Sequence, residues 1–167
     1  MLKQMGFTAL AMVWCSSMST ADTYSDFFCN VSGPEPTLEE SRPYFSRTMV
    51  ISSVPNILAL ANQCGHQTDD YADLLFRAVD AVGCSNTSTY YKFATAIAAQ
   101  DISTNYKMKV AYERAVEQDE EAVAQICEEV SQLDPTAVDV MDEKAVLEFA
   151  QESGRLTDEV WKLFVSR

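Results

Sequence analysis

Turn-forming residues are scarce in this chain. Five glycines and five prolines serve 167 residues, and no alternating apolar–polar stretch is bounded by Asn-Gly or Asp-Gly, so nothing argues for β-hairpins. None of the glycines (Gly6, Gly33, Gly65, Gly83 and Gly154) flanks a serine as G-x-S-x-G, which removes the strained nucleophile turn of the common serine hydrolases. Glycine-rich phosphate loops are missing for the same reason. The cysteines form no C-x-x-C pair, and structural zinc sites are commonly built on such close pairs. No D-x-[DN]-x-[DN]-G run supplies a calcium loop. Cations are outnumbered, 12 Lys and Arg against 25 Asp and Glu, for a formal charge of −13. A field of that sign repels nucleic acid and anionic headgroups. The expectation is a protein with no metal, no cofactor and no nucleic-acid partner.

What is present begins with a leader. MLKQMGFTALAMVWCSSMSTA sets Lys3 ahead of an apolar run from Met5 to Cys15, followed by a short polar stretch. The run is about 11 residues, too short for a hydrocarbon core that needs about 20. Ser19 and Ala21 suit signal peptidase. Residues 1–21 therefore read as a signal peptide, and export to the periplasm or the extracellular space is expected. Cys15 follows the bulky Trp14 rather than the small residue that precedes a lipidated cysteine. No later segment reaches transmembrane length, so the exported chain is expected to be soluble, one domain of about 146 residues. Loss of Lys3 leaves 11 of the 12 basic residues against all 25 acidic ones.

Beyond the leader, four cysteines remain: Cys29, Cys64, Cys84 and Cys127. An even number in an oxidising compartment reads as two disulfides. Asn30-Val31-Ser32 and Asn86-Thr87-Ser88 match the glycosylation sequon, which matters only in a eukaryotic secretory pathway.

Residues 22–36 read as an irregular lead-in and residues 37–167 as a helical domain, all-α, with about six helices. Thr37-Leu38-Glu39-Glu40 is a capping-box pattern. From Tyr44 to Gln63 the apolar residues Phe45, Met49, Val50, Val54, Ile57, Leu58 and Leu60 recur mostly at three- and four-residue steps, as on one helix face. Pro55 is expected to kink this helix or to start a second one. Thr68 is placed to cap the next helix, Asp69 and Asp70 to favour its positive end, and Gly83 to terminate it. Tyr71, Leu74, Leu75, Ala78, Val79 and Val82 form a core-facing stripe. Further helices are expected over 89–99, as one long rod over 105–133 stopped by Asp134-Pro135, over 138–152, and from Thr157 onward, with Leu156 and Trp161 as a hydrophobic staple.

The rod-like reading also assigns the disulfides. Cys64 and Cys84 flank a helix roughly 21 Å long, whereas bridged α-carbons lie within about 7 Å, so they cannot pair with each other. Helices running alternately up and down bring Cys127 to Cys84, which leaves Cys29 for Cys64.

The order Cys64, His66, Asp69-Asp70, Tyr71 partly resembles the active-site helix of secreted phospholipases A2. In that family histidine and aspartate are adjacent and a glycine-rich loop binds calcium; here Gln67 follows His66 and no such loop exists. His66 is expected in an exposed turn. Glu113, Glu117, Asp119, Glu120, Glu121, Glu128 and Glu129 crowd the long helix opposite its apolar stripe. Glu113, Glu117, Glu120 and Glu121 are the candidate contacts for a basic protein partner. The functional expectation is a non-enzymatic binder of the inhibitor, immunity, chaperone or envelope-adaptor type; the alternative is a small secreted hydrolase with an unconventional site near His66.

The leader reading is checked by the intact mass of the exported protein, which is expected to begin at Asp22. A lipid-modified Cys15 at the N-terminus would be the contrary result.

Overall fold

The computed structural model of the protein describes residues 29–30, 37–85, 88–89, 92, 96 and 101–166. The leader (1–21), all of the lead-in (22–36) except Cys29 and Asn30, the Asn86 sequon residue and most of the expected helix 89–99 lie outside the described residues. The described elements are α1 (Leu38–Gln63), α2 (Asp69–Ala81), α3 (Asp101–Gln118), α4 (Glu120–Gln132), a 3-10 turn (Pro135–Ala137) and α5 (Glu143–Val165). Among the described residues there is no strand, and the fold is all-α with two disulfides. No described helix is long and apolar enough to cross a membrane.

The core is organised around α1, which packs against all four other helices. Val50, Ile51, Val54, Ile57, Ala59, Leu60 and Ala61 are all buried, and at about 100° per residue these positions encircle the helix. The expected apolar face, with Val50, Val54, Ile57 and Leu60 buried, is therefore widened by Ile51, Ala59 and Ala61 to most of the circumference. Met49, Ser52 and Asn56 lie exposed along one narrow outward strip, and Leu38 is exposed at the start of the helix. Neither Pro43 nor Pro55 interrupts α1. A proline inside a helix costs about 3 kcal/mol or more. Burial of Val50, Ile51, Val54, Ile57 and Leu60 at roughly 1.5–3 kcal/mol each outweighs that. The hydroxyls are satisfied within the helix: Ser41, Thr48, Ser52 and Ser53 donate to the carbonyls of Thr37, Tyr44, Met49 and Val50 at 2.7, 2.8, 2.9 and 3.2 Å. Such back-bonding lets a polar side chain enter a crowded interior without an unmet donor.

A Schellman turn ends α1: with Gly65 at φ +79°, its amide bonds Asn62 O and that of His66 bonds Ala61 O. In α2, Tyr71, Leu74, Leu75, Ala78 and Val79 are all buried, as is Val82 just beyond its end, as the stripe requires. Thr68 precedes the helix but makes no side-chain cap bond, so Asp69 and Asp70 alone favour its start. Arg77 reaches from α2 to the segment between α4 and α5, donating to Pro135 O and Val138 O at 2.8 Å each while pairing with Asp73.

The helix expected from residue 138 starts only at Glu143, where the Asp142 carboxylate accepts from Lys144 N and Ala145 N, and two further boundaries differ from expectation. The rod expected over 105–133 starts at Asp101 and breaks at Asp119, whose carboxylate accepts from Ala122 N at 3.0 Å and starts α4. Conversely, α5 runs through Gly154, and Thr157, expected as a cap, lies mid-helix with its hydroxyl donating to the carbonyls of Ser153 and Gly154. A mid-helix glycine costs about 1 kcal/mol, less than the burial of Val146, Phe149, Leu156 and Val160 along one face returns.

The break at Asp119 also overturns the expected disulfides. Folding back at the elbow, α4 delivers Cys127 to the α1–α2 turn, so Cys64 pairs with Cys127, with α-carbons 5.4 Å apart. Cys84, at the other end of α2, is left for Cys29, 5.3 Å away. Closing loops with sequence separations of 55 and 63 residues corresponds to about 4 kcal/mol each in a chain-entropy treatment.

Leu75→Ala, in the stripe of α2, is expected to cost about 2–5 kcal/mol, and Asp119→Ala about 1 kcal/mol through the lost cap. Thermal melts of the oxidised protein measure both. Equal losses would show that the elbow is held by more than its cap.

Candidate functional site

Four features of the surface carry groups that could bind or react. The first is the acidic shelf. Glu113, Glu117, Glu120 and Glu121 are all exposed. Glu113 and Glu117 lie one turn apart on α3, on the side away from the buried Met108, Ala111 and Ala115. Glu120 and Glu121 follow across the elbow in the first turn of α4, where their charge meets the positive end of the helix dipole. Glu113 has a loose pair with Lys109 at 3.8 Å; among the described residues Glu117, Glu120 and Glu121 make no ion pair. The elbow thus splits the expected single acidic face into two segments that remain adjacent along the chain.

Glu129, read from sequence as part of the same face, has a different role. It reaches from α4 to Arg155 on α5, 2.5 Å away. Arg155 also binds Glu159 at 2.7 Å and is gripped by both oxygens of Glu152. These carboxylates hold the guanidinium protonated beyond its ordinary range, and the bond from Arg155 keeps the Glu152 carboxyl below its own. The cluster lines a groove of about 500 Å³ between α4 and α5, with Gln125, Ile126, Lys162 and Leu163. Because each guanidinium nitrogen of Arg155 donates to a carboxylate, the cluster ties two helices together rather than presenting a free cation. Sequence reading missed it because a helix stop at Gly154 separates Glu152 from Arg155; on a continuous helix, Glu152, Arg155 and Glu159 fall at neighbouring i, i+3 and i, i+7 positions.

The third feature is the pocket of about 180 Å³ around His66, shared with Asp70, Tyr71, Ser131 and Leu133. His66 is half-buried rather than exposed, and its Nε2 lies 3.0 Å from Cys127 O. Tyr71 Oη donates to Val130 O at 3.3 Å, and Ser131 Oγ to Glu128 O at 2.6 Å. All three groups are thus engaged with backbone carbonyls of α4. Beside the Cys64–Cys127 bridge, His66 ties the turn and Tyr71 ties α2 to α4, while the Ser131 bond closes within α4 itself. A nucleophile aligned with a base, which hydrolysis needs, is not what this arrangement provides.

Fourth, an apolar groove of about 240 Å³ lies between α3 and α5, lined by Tyr106, Lys107, Val110, Trp161 and Phe164. Tyr106 is 69% exposed and Val110 39%. Trp161 and Phe164 meet edge to face, ring centroids 5.5 Å apart, and the Arg114 guanidinium lies 5.5 Å from the Phe164 centroid. Neither Tyr106 nor Val110 stood out in sequence, since nothing local says which side of α3 faces out. Among the described residues no cluster of three or more His, Cys, Asp or Glu could hold a metal ion.

Burial, reinforced by the neighbouring Asp70 carboxylate, pushes the Tyr71 phenol up from 10.0 to about 12. The folded state therefore keeps this proton longer than the unfolded chain, so the stability linked to Tyr71 is present below about pH 10 and lost as pH rises toward about 12. Urea titrations across that range are expected to show a steeper alkaline loss in the wild type than in Tyr71→Phe. At neutral pH, Tyr71→Phe and His66→Ala are each expected to cost about 1 kcal/mol for the lost hydrogen bond. No protein-family model, curated protein or solved structure matches the chain, so its chemistry is read from these contacts alone.

Proposed function

We propose that this is an exported, non-enzymatic helical protein that acts by binding a basic protein partner through the acidic shelf. The observation that carries this reading is the placement of Glu113, Glu117, Glu120 and Glu121, all exposed, along the outer side of α3 and the start of α4. They stand on a chain whose formal charge is already −13. A surface of that sign speeds encounter with a cationic partner and discriminates against anionic ones. Its disulfides fit an oxidising compartment, and the leader-like first 21 residues supply the route. The binder reading is preferred to the hydrolase alternative near His66, where His66, Tyr71 and Ser131 each bond a carbonyl of α4.

The test uses the mature, oxidised protein immobilised against the exporting organism's own envelope and secreted fractions. At 0.1 M salt it is expected to retain a basic protein. Release is expected at 1 M, where the screening length falls from about 10 Å to about 3 Å. The double variant Glu113→Lys/Glu117→Lys is expected to lose that retention while melting as the wild type does. Glu120 and Glu121 are left in place because reversing charge in the first turn of α4 would itself cost roughly 0.3–1 kcal/mol each. If wild type and variant retain the same proteins with the same salt dependence, the shelf is only a solvated face.

A further inference from the structure

We propose that the α3–α5 groove is the anchoring half of this docking surface, and that its occupant is an amphipathic helix of the partner, apolar at one end and basic at the other. The inference rests on the acidic-shelf reading and adds to it the form of the ligand.

The geometry lies in α3. Tyr106, Val110, Glu113 and Glu117 follow at steps of four, three and four residues, which places them in one narrow line along a helix. Met108, Ala111 and Ala115, on the other side, are buried. The line changes character halfway: its first turn is apolar and its last turn is acidic. From Tyr106 to Glu117 it rises about 16 Å at 1.5 Å per residue, the length of about three helical turns. A helix laid along it would set apolar side chains on Tyr106 and Val110 and basic ones over Glu113 and Glu117.

Size decides what the groove can take. At about 240 Å³ it falls below the roughly 300–1,000 Å³ of ordinary small-molecule pockets, while a protein interface needs only a cleft for a large anchor side chain. Its walls are already set. The edge-to-face contact of Trp161 with Phe164, and Arg114 beside the Phe164 ring, hold the aromatics in place before anything binds, and preformed walls reduce the ordering cost of association.

Charge decides the occupant and its direction. A second copy of this chain would bring the same acidic surplus, and an anionic membrane would be repelled. Lys107 on the groove rim disfavours a cation directly over the apolar end. Basic residues of the partner are therefore directed past Val110, where Glu113 has only its 3.8 Å pair with Lys109 to exchange and Glu117 makes no ion pair among the described residues.

A display library of helix-forming peptides, varied at all outward positions, tests this against the full mature protein. The enriched peptides are expected to carry large apolar residues at i and i+3 or i+4, and Lys or Arg one to two turns further along. Val110→Asp is expected to weaken the best of them by about tenfold or more. Glu113→Gln/Glu117→Gln is expected to weaken them in proportion to their salt dependence. Circular dichroism melts of each variant establish that it is folded, and Val110→Ser replaces Val110→Asp if the latter melts early. Enriched basic peptides that lack apolar anchors and tolerate Val110→Asp would overturn the groove and leave the shelf standing. Apolar peptides indifferent to salt and to Glu113→Gln/Glu117→Gln would overturn both the basic occupant and the shelf. A library yielding no binder, or a dimer in sedimentation that Val110→Asp dissolves, would overturn the groove's assignment to a partner helix.

Discussion

Burial of α1 on nearly all sides is the constraint from which the remaining architecture follows. A helix with apolar residues around most of its circumference has only the narrow strip of Met49, Ser52 and Asn56 to give to water, so it needs neighbours on its other sides, and α2, α3, α4 and α5 all pack on it. Those four can be amphipathic because α1 is not. Polar atoms are kept out of the centre by economy at α1 itself, where serine and threonine hydroxyls close back on carbonyls three or four residues earlier. Acidic side chains are thereby confined to outer faces and helix starts. Asp119, Asp134 and Asp142 each begin an element by accepting from backbone amides. Part of the charge surplus thus has architectural use, and the remainder lies on the surface.

How legible this was in the sequence depended on whether a local signal agreed with its neighbours. In α2 everything agreed: the stripe, the acidic first turn and the glycine beyond its end. At Asp119 the signals conflicted. An aspartate followed by two glutamates is a sound helix start, but Val116 and Val123 stay seven residues apart and in phase, so the apolar pattern passes over the break without a change. At Gly154 the conflict ran the other way. Glycine invites a stop, yet Val146, Phe149, Ala150, Ser153, Leu156 and Val160 step through it without losing the face. In both places the pattern within the core and the punctuation disagreed, and tertiary packing settled each differently. For α1 the sequence showed the face of Val50, Val54 and Ile57, but not that Ile51, Ala59 and Ala61 would be buried as well.

The surface chemistry divided along the same line. Exposure of Glu113, Glu117, Glu120 and Glu121 needed only the helix period and was readable. The pairing of Glu129 with Arg155 needed both a continuous α5 and a folded-back α4, and neither was visible. Disulfide partners inherited the same elbow: one unrecognised change of direction exchanged both bridges. His66 was correctly placed in a turn, but its bond to Cys127 O arises only because that turn is where α4 arrives.

The two bridges overlap along the chain, and their overlap is unequal in its effects. One loop, closed by Cys29 and Cys84, encloses α1 and α2; the other, closed by Cys64 and Cys127, encloses α2, α3 and the first part of α4. α2 therefore belongs to both rings, while α5 belongs to neither. Detaching α5 requires no covalent change, only loss of its packing and of the Glu129–Arg155 tie, so local opening at that helix is limited by contacts alone. The groove walled by Tyr106 and Val110 on one side and Trp161 and Phe164 on the other thus has one jaw inside the covalent frame and one jaw outside it. Its aperture is set mechanically by how firmly α5 is clamped, and a partner wedged between the jaws would work against that clamp rather than against a bond.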